Sequence, residues 1–150
     1  MSLPRVRSLA AVLAAVVVVG ACVDRPPTSP KYRVECPTPV GALTIPDTVT
    51  GTLSAASCML RDNSYADVWT LTIVSLETLQ LDLSSTDFDA FLFVRDANGN
   101  LVVQDDDSGP DTDSRIFQSF SPGTYYVHAN SFDAGEVGNY TLSVVQVVTP

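Results

Sequence analysis

Asp87-Phe88-Asp89-Ala90-Phe91-Leu92-Phe93-Val94-Arg95, then Asp96-Ala97-Asn98-Gly99-Asn100, then Leu101-Val102-Val103-Gln104-Asp105-Asp106-Asp107, is the stretch from which the fold can be read. Short apolar runs rich in β-formers flank Asn98-Gly99, a pair that supplies the positive φ of a tight turn. The reading is a β-hairpin. A turn centred on Asn98 sets Arg95 opposite Leu101, Phe91 opposite Asp105 and Asp89 opposite Asp107. Pairing therefore gathers Asp87, Asp89, Asp105, Asp106 and Asp107 at the end away from the turn, with Asp111 and Asp113 a few residues on.

Carboxylates opposite one another in a sheet repel. One reading of the cluster is a solvated acidic loop, as most charge runs are. The other is a hard-cation site, because Ca²⁺ takes roughly 6–8 oxygens from carboxylates and carbonyls converging on a loop. The spacing is not that of an EF-hand, since no glutamate closes an Asp-x-Asp-x-Asp-Gly pattern. On the second reading Ca²⁺ is the expected cofactor, held by Asp87, Asp89, Asp105, Asp106 and Asp107.

Working outward, the rest of the chain continues the strand pattern. Asp67 to Val74 alternates, with Trp69, Leu71 and Ile73 on one face and Val68, Thr70, Thr72 and Val74 on the other. Thr78 to Leu83 alternates again and turns Leu79, Leu81 and Leu83 inward. Arg115 to Phe120, Thr124 to Asn130 and Asn139 to Val148 are further strands, and Leu43 to Ile45 and Gly51 to Leu53 are weaker ones around Pro46-Asp47. About eight strands with turn signals between them, and no sustained helical period after residue 22, describe an all-β antiparallel sandwich over residues 40–150.

The first residues belong to export. Arg5 and Arg7 precede an unbroken apolar run from Leu9 to Val19, which is shorter than the ~20 residues a bilayer span needs. Residues 1–21 read as a signal peptide. Val19-Gly20-Ala21-Cys22 resembles the bacterial lipobox, which makes Cys22 the lipidated first residue of the mature chain; an ordinary cleavage site beside a chance cysteine is the other reading. Residues 22–39, with Pro26, Pro27, Pro30, Pro37 and Pro39, are a proline-rich tether of extended character. Val23 rather than aspartate follows Cys22, which by resemblance to enterobacterial sorting places the protein at the outer membrane, facing periplasm or cell surface.

Loss of residues 1–21 removes Arg5 and Arg7 and no acid, so the formal net charge of −9 becomes −11. Such a surface excludes nucleic acid and anionic head groups as partners and leaves the lipid as the only membrane contact. Cys36 and Cys58 remain as a pair in an oxidising compartment, where a disulfide is the expectation, worth ~3 kcal/mol for a loop of about twenty residues. A metal site on the two lacks further ligands, since His128 is the only histidine.

From about Asp67 to Val147 the chain resembles the bacterial pre-peptidase C-terminal domain. Asp67-Val68-Trp69-Thr70-Leu71 is similar to its opening strand, and Asp87-Phe88-Asp89-Ala90-Phe91-Leu92-Phe93 to its Asp-x-Asp-Leu-Tyr-Leu-Tyr strand. Asn98-Gly99-Asn100 matches its turn and Asp105-Asp106-Asp107 its acidic exit. Gly123-Thr124-Tyr125-Tyr126-Val127 and Tyr140-Thr141-Leu142 match the closing strands. Ala90 stands for a common leucine, and Phe91 and Phe93 for tyrosines. The resemblance implies a jelly-roll-like fold and a non-catalytic module of the kind appended to secreted peptidases, some members of which bind Ca²⁺ and some extracellular polymers such as collagen.

No enzyme is expected. His128 has no second base and no Gly-x-Ser-x-Gly elbow to work with, and the carboxylates crowd at one hairpin end rather than across a cleft. The functional expectation is a cell-envelope lipoprotein carrying a binding or scaffolding module for a protein or polysaccharide, or alternatively an accessory subunit of a separate secreted peptidase. Adjacent Tyr125 and Tyr126 must face opposite ways. Tyr126 and His128, with Asn130, are the candidate ligand contacts on the outer face, while Trp69 is expected in the core.

Overall fold

The structure is a computed structural model that describes Cys36 and residues 38–148. The signal peptide, Cys22 and most of the tether lie outside the described residues. Ten strands follow in order: β1 (Gly41–Leu43), β2 (Asp47–Leu53), β3 (Cys58–Met59), β4 (Tyr65–Ile73), β5 (Glu77–Ser84), β6 (Ala90–Asp96), β7 (Leu101–Asp105), β8 (Ser114–Phe120), β9 (Gly123–Ser131) and β10 (Gly138–Gln146). No helix occurs among the described residues.

One sheet runs β1-β4-β9-β6-β7, with β3 also on β4, and the other runs β2-β10-β5-β8. Set aside the short β1 and β3, and the remaining strands pair as a jelly roll, with successive strands from β4 onward crossing between sheets except at the β6–β7 hairpin. All pairs are antiparallel except β1 with β4. β1 and β3 both lie on the outer edge of β4, and the Cys36–Cys58 disulfide, with Cα atoms 5.6 Å apart, ties the segments that carry them. An edge that would otherwise offer unpaired backbone groups is thereby covered.

Alternation builds the core. Leu79, Leu81 and Leu83 of β5 are fully buried, as are Leu71, Leu92, Val94, Val127, Leu142 and Val144 from both sheets. Each such side chain contributes about 1.5–3 kcal/mol by leaving water. Trp69 packs against this cluster from the inner face. Tyr125 turns inward, its ring 5.1 Å edge-on from Phe120, whereas Tyr126 faces out.

The hairpin departs from the expected register in one place. Arg95 does face Leu101, but Val94 faces Val103 and Leu92 faces Asp105, so Val102 is an extra, bulged residue. Phe91 is therefore not opposite Asp105. The turn is held by Asp96: its Oδ1 accepts from Asn98 N and Asn100 N, and its carbonyl accepts from Gly99 N, with φ +85° at Gly99 alone of the pair.

Candidate functional site

The bulge decides which aspartates meet. Successive side chains of a strand point to opposite faces. Ala90, Leu92 and Val94 point into the core, so Asp89, Phe91, Phe93 and Arg95 belong to the outer face. A one-residue shift in β7 moves Asp105 to the inner side and brings Asp106 to the outer one. The carboxylates of Asp89, Asp106 and Asp107 accordingly come together, with ligand atoms within 4.8 Å of one another.

The other two expected members are occupied elsewhere. Asp87 Oδ2 accepts from Asn139 N at 2.8 Å and from its side-chain amide at 3.3 Å. Asp105 Oδ2 accepts from Arg115 N at 2.8 Å and Ser108 N at 3.1 Å. Burial pushes the Asp105 carboxyl up, but these hydrogen bonds outweigh it and hold it below the ordinary range. Asp113 Oδ1 accepts from Ser85 N. These are structural carboxylates. Buried Ser114 fixes the loop behind them: its hydroxyl lies 2.6 Å from Ala90 O and accepts from Leu92 N.

Asp89 and Asp106 are the opposite case. The Oδ1 of each is enclosed and has no hydrogen-bond partner among the described residues. Burial raises both carboxyls, and the charges of Asp107 and Asp133 add to this at Asp89, those of Asp107, Asp89 and Asp105 at Asp106. Asp133 was not foreseen from sequence. It arrives because β6 pairs with β9, where Ala90 faces Ser131 and Phe132 N donates to Asp89 O, so the loop after β9 lies beside Asp89. The polar run from Asp133 to Gly138 was the available signal, but only the strand order places it there. In the same loop Glu136 Oε2 is also enclosed and unpartnered.

Along the same outer face the aromatics form a layer. Phe93 stacks on His128 with centroids 4.2 Å apart, Phe91 lies 5.9 Å from Phe93, and the Arg95 guanidinium sits 5.2 Å over the Phe93 ring. His128 is 2% exposed, so it is not the ligand contact expected of it: Phe93 covers it. Burial pushes its imidazole down to about 4, Arg95 adds to this, and the carbonyl of Tyr126 opposes. Asn130 is buried too, bonded to Ser64 Oγ and Ser131 O. Tyr126 remains half-buried on the outer face. A cavity of about 230 Å³ opens over the layer between Phe91, Phe93, Arg95 and the Leu60–Asp62 turn. A wider open trough of about 640 Å³ lies along the other sheet, lined by hydroxyls such as Thr50, Thr52, Ser84 and Thr86.

Neither the comparison with protein-family models nor that with curated proteins finds a match. Among solved structures, the pre-peptidase C-terminal domain of collagenase from Bacillus anthracis superposes with a TM-score of 0.55 at 18% identity, over 71% of this chain and 96% of that one. That likeness establishes the fold: an all-β sandwich of the pre-peptidase C-terminal domain's architecture. PliG, a periplasmic inhibitor of g-type lysozyme from Aeromonas hydrophila, aligns over 69% of this chain and 87% of that one at 12% identity, with a TM-score of 0.47.

Proposed function

We propose that this chain is a non-catalytic binding module of the pre-peptidase C-terminal type, stabilised by Ca²⁺, exported, and held at the cell envelope by lipid on Cys22. The observation that carries the calcium reading is the pair of enclosed, unpartnered oxygens, Asp89 Oδ1 and Asp106 Oδ1. Most buried polar atoms in folded proteins have a hydrogen-bond partner, and a buried carboxylate oxygen without a donor is costly. The donor set suits a hard oxygen-seeking cation: Asp89, Asp106 and Asp107 would hold it, and Asp133 adds charge beside them. Export is supported by the disulfide, which belongs to an oxidising compartment. A non-catalytic role is supported by His128, the sole imidazole, lying under Phe93 away from solvent.

Thermal unfolding of the full chain in low-salt buffer tests this. A cation that binds only the folded state adds RT ln(1 + [L]/Kd), ~2.7 kcal/mol at a hundred times Kd. The midpoint rises with millimolar Ca²⁺ and falls again with chelator. Mg²⁺ does less, because it demands stricter octahedral geometry and sheds water reluctantly. A melting curve indifferent to Ca²⁺ would remove the ion and leave the three aspartates as surface charge.

A further inference from the structure

The outer face of β2, β10 and β5 is a grid of hydroxyls. Val49 and Leu53, Tyr140 and Leu142, and Leu81 and Leu83 belong to the core or pack against it, so the residues between them point outward. Strand register then sets Thr50 opposite Thr141 and Thr141 opposite Ser84, neighbouring strands lying ~4.8 Å apart. Thr52 stands opposite Asn139 in the next row. The open trough of about 640 Å³ lies over these two rows and is bounded by Thr86, Asp111 and Asp113. Its size falls within the ~300–1,000 Å³ of small-ligand sites.

Some of these groups serve the fold. Thr52 Oγ1 donates to Asn139 Oδ1 at 2.8 Å, and Asp113 Oδ1 accepts from Ser85 N at 3.1 Å. The hydroxyls of Thr50, Ser84, Thr86 and Thr141 and the carboxylate of Asp111 have no hydrogen-bond partner among the described residues. Asp111 sits at φ +52° in a turn closed by Gly109 N to Asp113 O at 2.8 Å and Asp113 N to Pro110 O at 2.9 Å. The wall that carries it is therefore set before any ligand arrives. No basic side chain lines the trough, and no leucine, isoleucine, valine or phenylalanine does. Tyr140 lies beneath it at 3% exposure and offers no open ring face.

These walls select the ligand by what they lack. An anionic polymer is repelled by Asp111 and Asp113, and an apolar side chain finds nothing to pack on. A hydroxyl both donates and accepts, and it rotates to suit its partner. A row of hydroxyls beside one carboxylate therefore complements a ligand that itself carries many hydroxyls and no charge. β2 ends its sheet, so the trough runs out at an edge and a chain longer than the trough can pass over it. We infer that this trough binds an uncharged glycan chain, with sugar hydroxyls at Thr50, Thr141, Ser84 and Thr86 and a neighbouring pair of them donating to the Asp111 carboxylate. The inference rests on the binding-module reading above and gives that module a ligand class, neutral polysaccharide rather than protein.

The test is NMR titration of the isotope-labelled full chain with cellotriose, triacetylchitotriose, trigalacturonic acid and trilysine. At least one neutral trisaccharide shifts the amide signals of Thr50, Thr86, Asp111 and Thr141, and the acidic one binds there about tenfold or more weakly. Thr50→Val and Thr141→Val keep a β-branched side chain and each weaken the neutral sugar by about three- to tenfold, as loss of an uncharged hydrogen bond requires. Thr48→Val, on the same strand face but outside the trough, leaves binding unchanged. Absence of shifts with both neutral sugars overturns the inference. So do equal binding of trigalacturonic acid, tighter binding of trilysine at the same amides, and unaltered binding by both trough variants. Ca²⁺-dependent melting is measured on the same samples. A protein that responds to Ca²⁺ yet shows no shifts overturns the trough alone, shifts without a Ca²⁺ response uphold the trough and remove the ion, and a protein that does neither overturns both readings.

Discussion

Asp67 and the Oδ1 of Asp89 are both enclosed, on opposite sides of the same sheet, and they differ in what surrounds their oxygens. Asp67 is 8% exposed on the inner face, and its Oδ2 accepts from the Tyr140 hydroxyl at 2.9 Å. That hydroxyl in turn accepts from Trp69 Nε1 at 3.0 Å. These two bonds link three residues across β4 and β10 and so join the two sheets. Two glycines make the room: a Cβ on Gly41 would fall 2.6 Å from the Trp69 ring, and one on Gly51 would fall 2.2 Å from the Tyr140 ring. Among the described residues Asp89 has no such partner at Oδ1. The same residue type thus occurs with and without a hydrogen-bond donor at an enclosed oxygen. The bonded carboxylate fastens the sandwich; the unbonded one is the group that the calcium proposal uses.

The largest expected effect strikes the saturated side. Tyr140→Phe keeps the ring and removes the hydroxyl, which leaves the Asp67 oxygen and the Trp69 N–H unpaired inside the sandwich. Each orphaned group costs about 1–3 kcal/mol, so the variant loses roughly 3–4 kcal/mol in denaturant unfolding, with or without Ca²⁺. A loss below about 1 kcal/mol would mean that water reaches the triad and that the contrast between the two aspartates is weaker than drawn here.

His128 sharpens the comparison with a buried titratable group on the outer face. Its folded pKa, about 4, lies below the unfolded value of 6.5. Between those values the unfolded chain binds the proton and the folded one does not, so stability falls as pH drops from 6.5 towards 4 and levels off below. The full window is worth ~3 kcal/mol. His128→Phe retains a ring under Phe93 and removes the proton site. The difference in pH slope between the two proteins isolates His128 from the carboxylates that titrate in both. An unchanged slope would mean that the imidazole is hydrated in the folded state.

Sequence reading reached the sandwich because its signals are local. Alternation in β4, β5, β8 and β9 and the Asn98-Gly99 turn each act within a few residues, and the strands stand close to where they were expected. Cys36 and Cys58 form the disulfide expected of them. The site was only partly legible. The acidic end of the hairpin was visible, but the bulge at Val102 was not, and it exchanges Asp105 for Asp106 on the outer face. Asp133 joins through β6–β9 pairing across some forty residues of chain, a matter of strand order that no local pattern carries. His128 read as a half-buried strand residue on the outer face and a candidate ligand contact, because alternation puts it there; the aromatic layer that covers it is a tertiary fact. Strands β1 and β3 span three and two residues, too short to alternate.

The finest test sets neighbours against each other. Asp105 and Asp106 are adjacent, yet their carboxyls are displaced in opposite directions, down at Asp105 and up at Asp106. A depressed folded pKa means that the charge stabilises the fold at pH 7 and that this is lost only as pH falls through the folded value. Asp105→Asn therefore weakens the bonds from Arg115 N and Ser108 N and destabilises by about 1 kcal/mol, whether or not Ca²⁺ is present. A raised folded pKa means the reverse: the folded state resists the charge, and at pH 7 that resistance is fully felt. Asp106→Asn in chelator then relieves repulsion from Asp89 and Asp107 and stabilises by roughly a few tenths of a kcal/mol. In saturating Ca²⁺ the same variant lacks an ion ligand and its midpoint falls below that of the unaltered protein. Melting curves of the two variants, each with and without Ca²⁺, thus give one sign that never changes and one that reverses. If Asp106→Asn behaves like Asp105→Asn in both conditions, its oxygen has a partner in solution and the cation site is lost from this account.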